Sequence, residues 1–188
     1  MSLNGGKQLV IDACVATSCS SGEIFDPQPA NVGIHCRNSL IAISTSGHTA
    51  VFNRKLLKEW NDHPSRFSQR WLGEMVLTGK ILPDAEGDEH SSLLERACTA
   101  LTTEKEAFAK DFHLVRSALA TGQLIVSIER RFPQIVSVAS KAVLEFRQLY
   151  YANPDVEGDP CIVWIKDGAE KIEDRRIDVW AAKVRRGG

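Results

Sequence analysis

Residues 111–130 read DFHLVRSALATGQLIVSIER. The first ten predict a helix that Asp111 opens and that runs through Ala120, with Gly122 ending it at the usual C′ position. Leu124–Ser127 (LIVS) follows as a short, buried strand, and Glu129 stands two residues beyond Ser127. A helix feeding a buried strand that ends next to an acid is the local signature of a parallel α/β unit.

The same pattern occurs near the start of the chain. Lys7–Cys14 reads KQLVIDAC, an apolar run that ends in Asp12, as expected for a strand covered on both faces. Thr49–Phe52 and Cys161–Ile165 (CIVWI) are read as two more strands. Helices are predicted over 36–44, 54–61, 65–78, 91–110, 111–120 and from Pro133 to about Arg147, with Asn53 capping the second. Residues 17–33, 84–89 and 153–160 read as loops, and the chain closes in a charged helix. This alternation predicts a three-layer α/β/α fold with a mostly parallel central sheet of four to five strands. One domain spans 1–173, with 174–188 as a charged C-terminal helix or tail.

Composition narrows the function classes. The 188 residues are 43% hydrophobic and 25% charged, which excludes disorder, collagen and coiled coil as whole-chain readings. The net charge of −1 supplies no global basic field, so any nucleic acid must be met by a local patch or a bound cation. No run approaches the roughly 18 apolar residues of a membrane span, and LVIDACVA, broken by Asp12, is short for a secretory signal. The expectation is a cytoplasmic protein without a membrane partner. Cysteines 14, 19, 36, 98 and 161 are odd in number and lack a Cys-x-x-Cys, so reduced, mostly buried thiols are expected rather than disulfides or structural zinc.

In parallel sheets ligands sit at the carboxyl ends of the strands, so the acids there decide the chemistry. Asp12 and Glu129 lie at or just beyond two strand ends, Asp111 opens the helix before the second, and Glu59 lies in the helix after Thr49–Phe52. An acid that interrupts an apolar strand costs several kcal/mol of desolvation unless it is paired or bound. Carboxylate clusters suit hard cations such as Mg2+ or Mn2+, which lower the pKa of a bound water and neutralise phosphate charge. Each acid also has a plainer role: Asp111 as a helix cap, Glu59 as a solvated helix acid, Glu129 as a surface ion-pair partner.

The order and context of these acids resemble the PIN-domain family of metal-dependent nucleases. The matching elements are LVIDACVA with Asp12, FNRKLLKEW with Glu59, the 111–130 block with Asp111, Ser127 and Glu129, and the closing CIVWIKDGAEKI, together covering about residues 7–173. The resemblance implies an endoribonuclease in which Asp12, Glu59, Asp111 and Glu129 hold Mg2+ or Mn2+ and Ser127 orients a carboxylate or water. It also implies RNA as substrate, an antitoxin-like protein inhibitor and a homodimer as possible partners. The chain departs from the family pattern in having Glu129 where Asp or Asn is usual, Cys14 two residues after the first acid, and a longer segment before the first long helix. These departures motivate a second reading, a catalytically weakened binding or assembly module.

Arg37 and Arg130 are candidate phosphate ligands, as are Arg66, Arg70 and Arg131, although each is more often a solvated side chain. The five histidines show no metal-ligand spacing and are read as structural. An Asp-dependent phosphatase built on Asp12 is a third reading, but Cys14 occupies the place of the second acid that such enzymes carry. A Cys-dependent phosphatase is disfavoured because the Arg expected six residues after Cys36 is Ala42, and no Gly-rich phosphate loop is present.

Overall fold

A computed structural model describes residues 6–19, 31–62, 64–84 and 91–187. Five parallel strands form one sheet: β1 (Gln8–Ile11), β2 (Thr49–Phe52), β3 (Ile81–Pro83), β4 (Leu124–Val126) and β5 (Tyr150–Ala152), in the order β3-β2-β1-β4-β5. Leu9, Val10 and Ile11 of the central strand are fully buried, as are Ile125 and Val126 beside it, because helices cover both faces.

One helical layer holds α1 (Ala13–Ser18), α2 (Asn31–Thr45), α3 (Arg54–Asp62), α4 (Arg66–Leu77), α8 (Pro154–Glu157) and α9 (Asp159–Lys166). The other holds α5 (Ser91–Ala100), α6 (Lys105–Ala120), α7 (Phe132–Ala139) and α10 (Ile177–Gly187). The three-layer α/β/α expectation is met. Asn53 caps α3 as expected, its Oδ1 accepting the Leu56 N–H at 2.7 Å, and Ser65 caps α4. The closing helix packs on α7 and buries Ile177, Trp180 and Ala181. Among the described residues no helix is long and apolar enough to cross a membrane, and the five cysteines are free thiols.

Several sequence expectations are overturned. Cys161–Ile165 is not a strand but the body of α9. A five-residue apolar run has no decisive period, and Pro160 in the first helical turn is the cue that mattered. The last strand is instead Tyr150–Ala152, paired to β4, and the short edge strand β3 was not anticipated. Asp111 does not open a helix. The chain breaks at 101–104, and α6 runs through Asp111 because Phe108, Phe112 and Val115 continue one buried stripe. The helix from Pro133 ends at Ala139, and residues Leu144–Gln148 form a separate 3-10 turn. The predicted loop at 17–33 is helical at both ends, in α1 and α2, and its residues 20–30 lie outside the described residues; so do 85–89 of the acidic turn.

Gly122 also has a different job from the one expected. The left-handed residue after α6 is Gln123, at φ 63°. Gly122 is needed for space, since a Cβ there would lie 2.0 Å from the Gln8 carbonyl oxygen. Gly122→Ala must therefore push α6 away from β1. A loss of about 2 kcal/mol in chemical denaturation is expected, and an unchanged midpoint would show that the two elements are not in this contact.

Candidate functional site: an acidic cleft at the strand ends

The chain builds β1, β2 and β3 outward in one direction, then returns to place β4 on the other side of β1. The carboxyl ends of β1 and β4 thus flank the point where the strand order reverses, the general ligand position of open parallel sheets. Asp12 leaves β1 at this point. Its N–H still continues the ladder to the Val126 carbonyl at 3.0 Å, so the backbone of the two strand ends is held in register up to the acid itself.

The Asp12 carboxylate is oriented by two local donors. The buried Ser127 hydroxyl donates to Oδ2 at 2.7 Å, and the Cys14 N–H points to Oδ1 at 3.4 Å. Ser127 Oγ in turn accepts the Glu129 N–H at 3.1 Å. One hydroxyl therefore ties the turn after β4 to the acid after β1. Beneath this turn the fully buried Tyr151 hydroxyl lies 3.0 Å from the Ser127 carbonyl and 2.7 Å from that of Glu129, donating to one at a time. Burial pushes the Tyr151 phenol far up, so it stays a donor.

A cleft of about 280 Å³ opens above these groups, lined by Asp12, Cys14, Thr17, Glu59, Asp62, Lys110, Asp111 and Glu129, among others. All four acids singled out in the sequence reach it, from β1, α3, α6 and the turn after β4. A larger apolar cavity of about 490 Å³ between α3 and α4 has no titratable side chain among the described residues of its lining. Burial pushes the Asp111 carboxyl up to about 6, with Asp12 and, more weakly, Glu59 adding to the rise while Lys110 and Lys55 oppose it.

This perturbation has a testable sign. The folded state holds the Asp111 proton more tightly than the unfolded chain does. The cost of ionising Asp111 is absent below about pH 4, grows as pH rises through 6, and is constant above. Asp111→Asn is therefore expected to raise Tm more at pH 7 than at pH 4; equal shifts at the two values would contradict the burial of the Asp111 carboxyl beside Asp12.

Three residues of the site were not singled out by sequence reasoning. Asp62 lies three residues after Glu59, a spacing that places both on one helix face and was available as a signal. His113, read as structural, does not line the cleft but braces Glu59 from behind: its Nε2 lies 3.1 Å from Glu59 Oε2, and its Nδ1 lies 3.1 Å from the Lys110 carbonyl. Lys110 is the third, and only the packing of α6 on α3 brings it to the cleft. Lys55 Nζ also approaches Glu59, at 3.8 Å. The proposed arginines are elsewhere. The Arg37 guanidinium lies 5.1 Å from the Phe67 ring centroid, and Arg130 pairs with Asp155 at 2.8 Å. Neither lines the cleft.

As a cation site the cleft is suitable in chemistry but not closed in geometry. Its donors are carboxylate oxygens, which hard divalent ions prefer. Among the described residues, however, no three acidic, His or Cys side chains converge closely enough to hold an ion as they stand. Asp12 is turned to Ser127 and Glu59 to His113. Comparison with protein-family models, curated proteins and solved structures found no match.

Proposed function

We propose that the chain is a Mg2+- or Mn2+-dependent endoribonuclease of PIN type, with this cleft as its centre. One observation carries the reading: four carboxylates far apart in sequence line a single cleft at the reversal point of the sheet. Asp12, Glu59, Asp111 and Glu129 would hold the cation. When bound, it would lower the pKa of a coordinated water and offset charge on the phosphate.

The protein's own residues have distinct tasks. Ser127 holds Asp12 in one rotamer, and Tyr151 holds the turn that carries Ser127 and Glu129. Burial is the main reason the Asp111 carboxyl is raised; the repulsion that Asp12 and Glu59 add is the part a divalent cation would relieve. His113 keeps Glu59 at the cleft edge. An antitoxin-like inhibitor and a second copy of the chain belong to the same proposal.

The test is incubation of the purified protein with labelled RNA in Mn2+, in Mg2+ and with chelator. Cleavage that needs the ion supports the reading. No cleavage of any RNA together with no Mn2+ uptake by calorimetry would favour the binding or assembly module instead. The commitment of Glu59 to His113 and Lys55 is the observation on that side. A phosphatase using Asp12 as nucleophile is less well supported, because Ser127 donates to one oxygen of that carboxylate and Cys14 approaches the other.

A further inference from the structure

The cleft faces an electrostatic problem. Among the described residues, five carboxylates line it and one cationic side chain, Lys110, does so. A phosphate chain approaching such a surface is repelled unless cations of the protein flank the entrance. Beyond β4, Arg130 pairs with Asp155 and Arg131 with Glu104, which draws both guanidinium groups to acids outside the cleft lining.

The seam between α3 and α6 differs. Lys55 projects from α3 and donates to the Lys110 carbonyl on α6, so its ammonium sits over the seam beside the cleft. It lies 3.8 Å from Glu59, and its side chain is 44% exposed. Lys110 is exposed and lines the cleft directly. Both ammonium groups act on Asp111, which places them within electrostatic reach of the acids. An ammonium has three donors, so Lys55 keeps donor capacity beyond its carbonyl contact.

We infer that Lys55 and Lys110 form a phosphate grip: they take the backbone phosphates of the nucleic-acid strand next to the one delivered to the carboxylates, and so set the path of the strand across the α3–α6 seam. This rests on the reading of the cleft as a nuclease centre. The competing role for the two lysines is simple neutralisation of the neighbouring acids, and the two roles differ in what they predict.

The experiment is fluorescence-anisotropy binding of a labelled 20-nucleotide RNA, with chelator present so that nothing is cut, over a series of salt concentrations. Wild type is compared with the Lys55→Gln/Lys110→Gln double variant and with Lys55→Arg/Lys110→Arg. A grip predicts that the glutamine variant binds at least about tenfold more weakly at low salt. The slope of log affinity against log salt should fall by about 1.4, the value for two single-strand phosphates, and the arginine variant should keep most of the binding. Mn2+ titration by calorimetry is run on the same proteins. Unchanged RNA affinity and slope with tighter Mn2+ binding in the glutamine variant would mean that the lysines only neutralise acids, overturning the grip. Wild type that binds no RNA at low salt overturns it as well. Because no step depends on cleavage, loss of the nuclease reading alone would appear differently, as lysine-dependent RNA binding by a protein that cuts nothing in Mn2+.

Discussion

On the proposed nuclease reading, Asp12→Asn is expected to lower Mn2+-dependent RNA cleavage about a thousandfold, equivalent to about 4 kcal/mol of transition-state stabilisation, with the fold intact. The fold survives because the asparagine carbonyl can still accept from the Cys14 N–H while its amide nitrogen donates to the Ser127 hydroxyl oxygen, and the backbone bond to Val126 is untouched. What disappears is one formal negative charge in the cleft, where the proposed cation would need it. Ser127→Ala provides the contrast. It keeps the charge but removes the donor that orients it and the acceptor for the Glu129 N–H, leaving that turn less well held. A smaller loss of activity is expected, with about 2 kcal/mol of stability. Cleavage rates in Mn2+ and denaturation midpoints for the two variants separate charge from orientation. Full activity in Asp12→Asn would remove this carboxylate from the mechanism.

The largest effect on stability is expected at Trp60. This side chain packs edge-on to Phe52 at 5.1 Å and against Trp71 at 5.6 Å, and is 2% exposed. Its indole N–H donates at 2.9 Å to the carbonyl of Ile11, the residue immediately before Asp12. Trp60 thus joins the helix that carries Glu59 and Asp62 to the strand end that carries Asp12. Trp60→Ala removes the ring and leaves a buried carbonyl unpaired, so about 4 kcal/mol should be lost. Trp60→Phe keeps most of the packing and loses the hydrogen bond, for about 1–2 kcal/mol. Chemical denaturation read by circular dichroism measures both. If Trp60→Phe costs as much as Trp60→Ala, the bond to Ile11 rather than the packing dominates.

Asp12 and Glu59 illustrate two degrees of legibility. Leu9-Val10-Ile11-Asp12 is legible because a strand buried on both faces is a continuous apolar run, and an acid at its end is costly unless it is held. Glu59 follows from Asn53 and the stripe of Leu56 and Trp60, which define both the start of α3 and its buried side. Asp111 reached the cleft although its local setting was misread: the site needs it on α6, and a position in the middle of that helix serves as well as one at its start. CIVWI failed for the opposite reason. Its composition suits a buried strand, but the parallel pairing beside β4 is taken by Tyr150–Ala152, and Pro160 starts a helix instead.

The long-range partners could not be seen in the same way. His113 meets Glu59 across 54 positions, and Lys55 meets the Lys110 carbonyl across 55. Neither pair has a spacing that a single helix or strand would reveal. Arg37 and Arg130 were reasonable phosphate ligands by residue type, yet Phe67 and Asp155 are their neighbours.

By itself the order of apolar runs and caps determined a parallel α/β layering and put an acid at two strand ends, because burial and helix initiation are local properties of the chain. Only the tertiary structure decided that α3 and α6, from opposite layers, meet beside the carboxyl ends of β1 and β4. That packing turns separate acids into one cleft and chooses which bases stand beside it, since electrostatic neighbours are set by distance in space rather than by distance along the chain.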